Sequence, residues 1–202
     1  MGSNKEYLGT TKGASLIVMD PSSKLIFYGP CQLSNNFLIR IGVQATLSLR
    51  EGVFFGSGVK VICINSISVG KSSRIAFESQ LIDSDFHYTY DLDREITKPR
   101  EKRIIIGDYN WIGNRTTISK GTITGDFTIA AASSILNKNY TRIDEPYPVL
   151  AGQPAKLVVK NIRRIYDIDL EKRLAHFFEE GGTNIPESWK EDIKLSFLQL
   201  DK

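Results

Sequence analysis

A parallel β-helix with an all-β core is the fold this sequence predicts, and three observations predict it. Apolar residues recur at a strict step of six, small residues follow at a fixed offset, and the pattern breaks once for about twenty residues. The step runs through Ile41, Leu47, Val53 and Val59, then Val69, Ile75 and Leu81, then Ile106, Ile112, Ile118, Thr124 and Ala130. Ten of these twelve positions are Ile, Leu or Val, types that make up 50 of 202 residues, so chance would supply about three. The next residue is Gly or Ala at Gly42, Gly70, Ala76, Gly107, Gly113 and Ala131. Four places on from the step stand Ala45, Ser57, Cys63, Ser73, Ser79, Thr116, Thr122, Thr128 and Ser134.

Six is not a helical period, and residues at that step draw no stripe down an α-helix. A hexapeptide step is the signature of a parallel β-helix, each repeat supplying one short strand and a corner. Three strands make one turn of a triangular prism. The key aliphatics point inward and stack turn on turn, while the small residues let the chain pass the corners. No turn buries its own apolar face, so only the array is stable.

The break lies between Asp83 and Ile104, and the register resumes at Ile106. A long insertion in a regular coil is uncommon unless it has a function. It opens with "LIDSDFHYTYD" (81–91), which holds His87, one of only two histidines, behind Asp83 and Asp85. His87 thus stands where the chain leaves a rigid coil, a position suited to a catalytic group. The other histidine, His176, lies in "LEKRLAHFFEE", where Leu170, Leu174, Phe177 and Phe178 fall on or near one helical face. His176 reads as a helix-flank residue.

The ends obey other rules. Residues 1–37 carry the turn signals "MDPSSK" and "YGP", with "LIVMD" and "KLIFYG" as short strands before or opening the coil. After Lys160, "NIRRIYDIDLEKRLAHFF" has helical spacing and "GGTNIP" ends it. A second amphipathic helix opens at Pro186, with Trp189, Ile193, Phe197 and Leu200 on its apolar spacing, and is expected to pack on the coil or on a neighbouring subunit. The expected organisation is therefore an N-terminal segment 1–37, a coil domain 38–160 with an extruded loop 83–104, and a helical extension 161–202.

Composition narrows the class. Hydrophobic residues are 41% and charged residues 24%, ordinary for a soluble globular chain. A chain of this size buries roughly 70% of its unfolded surface, so it needs no disulfide framework. Cys31 and Cys63 form neither a metal spacing nor a CxxC pair, and fit a reducing cytosol. The run "SLIVMD" is too short for a signal core or a membrane span, so a cytoplasmic protein with no transmembrane segment is expected. A net charge of +3 is too mild to imply nucleic acid; the clusters "KPREKR" (98–103) and "KLVVKNIRR" (156–164) carry more information.

From "IIIGDYNWIGNRTTISKGTITGDFTIAAASSILNKNY" through "YPVLAGQPAKLVVK" the sequence resembles the hexapeptide-repeat acyltransferases, whose coil is a left-handed parallel β-helix. Their repeat reads aliphatic, small, any, any, small, any, and the resemblance covers roughly residues 38–160. The WIG tripeptide, the alanine-rich coil end, the lysine just after it and the closing AGxPAK are similar to the acetyl-coenzyme-A-dependent O-acetyltransferases of sugars. Ser133 stands where that family has glycine, and Asn137 where it has threonine.

The resemblance implies acetyl-CoA as acyl-donor cosubstrate with no metal, a sugar or glycan acceptor, and a homotrimer with active sites between subunits. "DSDFH" is similar to a form found among polysaccharide and capsule O-acetyltransferases, which implies His87 as the catalytic base. By the same resemblance Trp111, Gly113 and Asn114 would line the arm of the donor near its acyl end. Ala131 and Ala132 would allow close backbone approach, and Lys138 and Lys156 would meet the nucleotide end. Asn65, closing "VICIN", corresponds to an asparagine that faces substrate in the maltose and galactoside branch.

Acetyl transfer from a thioester to a hydroxyl needs a base, dipoles for the oxyanion and a donor held still. An imidazole, with an unperturbed pKa of about 6.5, is largely neutral at cellular pH. Asp83 and Asp85 are both candidates to accept its second N–H, as in triad logic, and both equally suit Asx turns. Cys63 occupies a small corner position and Cys31 has no histidine nearby in sequence, so direct transfer is expected rather than a covalent acyl-enzyme. Other readings are an acetyltransferase for an amino-sugar nucleotide, an antibiotic or serine, and a coil that binds without catalysis. A β-helical carbonic anhydrase would need three histidine zinc ligands per site, against two histidines in this chain.

Overall fold

The computed structural model describes residues 13–200; residues 1–12, the front of the predicted N-terminal segment, and residues 201–202 lie outside the described residues. The chain divides into two compact units, one running through Ile162 and one from Arg163 onward.

The first unit is the expected parallel β-helix, its three sheets forming three faces. The first face stacks β1 (Leu16–Met19), β4 (Leu38–Ile41), β7 (Lys60–Cys63), β10 (Gln80–Ile82), β15 (Thr117–Ser119) and β17 (Ile135–Leu136). The second stacks β2 (Lys24–Phe27), β5 (Thr46–Leu49), β8 (Ser66–Val69) and β13 (Ile104–Ile106). The third stacks β3 (Gln32–Leu33), β6 (Phe54–Phe55), β9 (Arg74–Ile75), β14 (Trp111–Ile112), β16 (Ile129–Ala130) and β18 (Val149–Gly152), closed by the antiparallel β19 (Ala155–Val159). The segment the sequence sets before or at the opening of the coil forms its first turn, since Ile17 pairs with Ile39, Leu25 with Leu47 and Leu33 with Phe55.

Parallel register puts like on like. Ile39, Val61, Leu81, Ile118 and Leu136 make one column, and Phe55, Ile75, Ile112, Ala130 and Leu150 another. All twelve step-of-six positions are buried, including Thr124 and Ala130, the two that are not Ile, Leu or Val. The nine small residues at the fixed offset are buried as well. Most do more than save space. Ser73 Oγ donates to the Gly107 carbonyl, Ser79 Oγ to Gly113, Thr116 Oγ1 to Ala131 and Thr122 Oγ1 to Leu136, each tying one coil to the next. A buried hydroxyl without such a partner would cost about 1–3 kcal/mol, which is why Ser and Thr at these corners hold a bond.

The break in the repeat leaves the stack undisturbed. Leu81 pairs directly with Ile118, and Ile67 with Ile104, so the chain departs and returns at the corner between the first and second faces. Outside the stack the excursion is ordered: Ser84 bridges Glu101, and β11 (Tyr90–Asp91) pairs antiparallel with β12 (Ile96–Thr97).

The second unit holds α1 (Ile168–Glu179) and α2 (Glu187–Leu200). The sequence predicts helical spacing from Asn161, but α1 starts seven residues later because the Asp167 carboxylate caps it, accepting from the Asp169 and Leu170 amides. Phe177 meets Trp189 edge-on at 5.4 Å between ring centroids, and Arg173 pairs with Asp192 at 3.0 Å. His176 lies on the exposed flank of α1, 3.3 Å from Glu180.

Leu81, fully buried between Val61 and Ile118, tests the column. Leu81→Ala is expected to cost about 2–5 kcal/mol in urea unfolding, the range for a buried leucine. A cost under about 1 kcal/mol would mean that the coils do not depend on the aliphatic stack.

Candidate active site

The loop is rooted in an unusual corner. Residues 42–45 turn the chain from β4 to β5, but only Ile64 and Asn65 turn it from β7 to β8. Above this short corner the next coil does not continue; it leaves as the loop. The amides of the corner would face no carbonyl, and Asp83 supplies the acceptors. Its Oδ1 accepts from Ile64 N–H at 2.7 Å, and its Oδ2 from Asn65 and Ser66 N–H at 2.9 and 2.8 Å. The Asp83 carbonyl accepts from Lys102 N–H at 2.9 Å, so one residue holds both the departing and the returning strand.

Asp83 is fully buried. Burial pushes its carboxyl above the usual carboxylate range, and the three backbone amides pull against that shift without cancelling it. The Cys63 thiol is pushed up to about 12, first by burial and then by the charge of Asp83. It is no nucleophile at neutral pH.

His87 stands in a bend of the departing loop, exposed, with its backbone N–H bonded to the Asp85 carbonyl at 2.7 Å. Phe86 before it adopts a left-handed φ of 61°, and Ser84 Oγ accepts from the Phe86 amide. Among the described residues the imidazole has no hydrogen-bond partner. The two aspartates that the sequence offers as its orienters are engaged elsewhere. Asp83 spends its oxygens on the corner amides, and the Asp85 carboxylate pairs with Lys120 Nζ, which also donates to the Pro99 carbonyl. Asn65 is brought to Asp83 through its backbone and lies exposed one coil below the loop.

The residues expected along the donor gather on another edge. Trp111, 43% exposed on β14, lies between Arg74 and Ile129 of the third face. Gly113 comes next, at the corner between the third and first faces, where a Cβ would come within 2.5 Å of the Ala132 nitrogen. Only glycine permits that coil-to-coil approach. The Asn114 carbonyl accepts from Ser133, itself at a left-handed φ of 58°, which is the backbone reason a glycine suits this place. Ala131 donates to the Leu150 carbonyl, Ala132 is exposed beside it, and Lys156 sits on β19 opposite Ala151.

Lys138 is not with them. It follows β17 at the corner between the first and second faces, its ammonium 5.4 Å from the Tyr140 ring centre. The first face therefore separates Lys138, and the root of the loop that carries His87, from the remaining donor candidates within one chain, by roughly 15 Å at about 3.3 Å per residue. Sequence reading missed Lys120, the partner of Asp85. The available signal was its spacing: Lys120 and Lys138 stand three hexads apart, which puts them on the same corner in successive coils.

Among the described residues no three His, Cys, Asp or Glu side chains cluster as a metal site, and no helix is long and apolar enough to cross a membrane.

The chain matches no family model. An Escherichia coli protein named for O-acetyl transfer in lipopolysaccharide biosynthesis is 24% identical over 147 residues, 65% of this chain and 72% of that one. An uncharacterized Klebsiella pneumoniae protein in a cps region is 30% identical over 139 residues, 66% of this chain and 60% of that one. Among solved structures, the polysialic acid O-acetyltransferase OatWY aligns with a TM-score of 0.48 at 22% identity, covering 81% of this chain and 96% of that one.

The corner chemistry predicts that Asp83→Asn destabilises the coil by about 1–3 kcal/mol, because an amide NH₂ then faces a backbone N–H. Denaturant unfolding reads the loss. Unchanged stability would show that the three amides find other acceptors.

Proposed function

We propose that this hexapeptide-repeat chain, a sequence relative of a protein named for O-acetyl transfer, is an acetyl-CoA-dependent O-acetyltransferase of a sugar or polysaccharide precursor. One observation carries the reading: the repeat is interrupted by a loop whose first bend presents His87 to solvent, rooted by Asp83 and flanked by Lys120. The coil would be the rigid support and the loop the part that meets the acceptor.

In the reaction so read, the imidazole of His87 takes the acceptor hydroxyl proton as the oxygen attacks the thioester carbon. The C–O bond forms, the C–S bond breaks, and the proton passes to the departing thiolate. No enzyme thiol takes part, which fits a Cys63 thiol held at about 12. The donor arm would lie along the edge carrying Trp111, Gly113, Asn114, Ala131 and Ala132, where the close packing of Gly113 on Ala132 keeps the surface low. Lys156 extends that edge. Asp83 and Asn65 act at the loop root in this reading, and Asp85 acts through Lys120.

The separation of that edge from the root of the loop that carries His87 supports active sites shared between copies, with the base of one chain meeting the donor edge of the next in a homotrimer. The reading keeps the cytoplasmic location expected from the sequence.

His87→Ala is expected to keep the unfolding midpoint and the affinity for acetyl-CoA while turnover falls about a hundredfold or more, the low end of what a general base supplies. Thiol release with a panel of sugars measures it, and wild-type turnover in the variant would remove His87 from the mechanism. In solution, light scattering should give three times the 22.7 kDa chain mass. A monomer would leave the separated groups without a partner and overturn the shared site.

A further inference from the structure

On the coils above the loop root, the corner between the first and second faces carries an open cleft of ≈ 500 Å³ lined by Lys102, Lys120, Asn137, Lys138, Asn139 and Arg142. No carboxylate lines it. Lys120 has its counter-ion in Asp85, but Lys102, Lys138 and Arg142 pair with no carboxylate among the described residues. Asn139 spends its Oδ1 on Thr141, which leaves its amide hydrogens to donate. Like charges that converge on a concave wall raise its potential and lower their mutual cost only when an anion enters.

The cleft and the candidate base share one root. Lys120 reaches from the wall to Asp85 and to the Pro99 carbonyl, and the Lys102 amide bonds to the Asp83 carbonyl. His87 lies two residues beyond Asp85. A hydroxyl activated there brings its own ring and neighbouring groups toward this wall. The phosphates of the donor lie a whole pantetheine arm from the thioester, and so far from the base. We infer that the acceptor is an anionic glycan, and that this cleft receives a carboxylate or phosphate borne close to the acetylated hydroxyl. The inference rests on the O-acetyltransferase reading and specifies its substrate class.

The test uses the full-length chain, with thiol release and calorimetry on three acceptors of matched length: a neutral oligosaccharide, a carboxylate-bearing one and a phosphate-bearing one. A charged acceptor should exceed the neutral one by about tenfold or more in kcat/KM, one charge-assisted contact being worth roughly that factor. The double variant Lys102→Gln, Arg142→Gln should raise KM for that acceptor about tenfold, with KM for acetyl-CoA unchanged. The stronger of the two charged acceptors identifies the anionic group. If KM for acetyl-CoA rises instead, the cleft holds the donor phosphates and the inference is overturned. Equal use of neutral and charged acceptors, with no effect of the double variant, overturns it as well. Absence of thiol release with every acceptor rejects the O-acetyltransferase reading; calorimetry then decides the cleft separately. Binding of a charged oligosaccharide that the double variant abolishes sustains an anionic-glycan site, and no binding to wild type ends it.

Discussion

Three backbone amides converge on one buried carboxylate, and the arrangement of the protein around its loop depends on that contact. A β-helix satisfies its amides by handing each to the coil above. Where the chain leaves the stack, this supply stops. Asp83 stands in for the missing strand, accepting from Ile64, Asn65 and Ser66 while its own carbonyl receives the returning chain at Lys102. Burying the charge is costly, as the raised carboxyl shows, but leaving three amides without acceptors would cost more. The same contact sets where His87 departs and where Lys120 meets Asp85.

Away from the loop, the stack is held by two complementary devices. Columns of aliphatics fill the centre, and a ladder of Ser and Thr hydroxyls ties the corners of successive coils. Corner geometry imposes left-handed backbone on ordinary residues, among them Ser72, Glu78, Arg115, Phe127 and Ser133. Each such residue costs about 1–2 kcal/mol, and the stack offsets it because every coil reuses the same turn.

The period of six located the inward positions because a solenoid buries one face at every step, whatever surrounds it. The existence of the loop and of both helices was legible for the same reason: each breaks the period. The role of Asp83 was hidden, since its partners are backbone amides, which no residue type announces. The start of α1 was hidden too, because "NIRRIYD" has the same helical spacing as α1 itself and only the Asp167 side chain marks the boundary. At the candidate site, sequence reading chose residues along the chain but could not show that Lys138 turns a different corner from Trp111 and Gly113. That division comes from strand lengths, which a one-dimensional pattern records only as spacing.

The closed root of the excursion has a consequence for how such a protein can change. Leu81 hands its column to Ile118 and Ile67 to Ile104 as though the intervening chain did not exist. Beyond the Ser84–Glu101 bridge the excursion is held to the scaffold at its base, where Lys120 pairs with Asp85 and donates to the Pro99 carbonyl, and it takes no part in the stacked sheets. Lengthening, shortening or rewriting it shifts no register in the prism, so recognition of new molecules can diverge there while the architecture beneath is inherited unaltered.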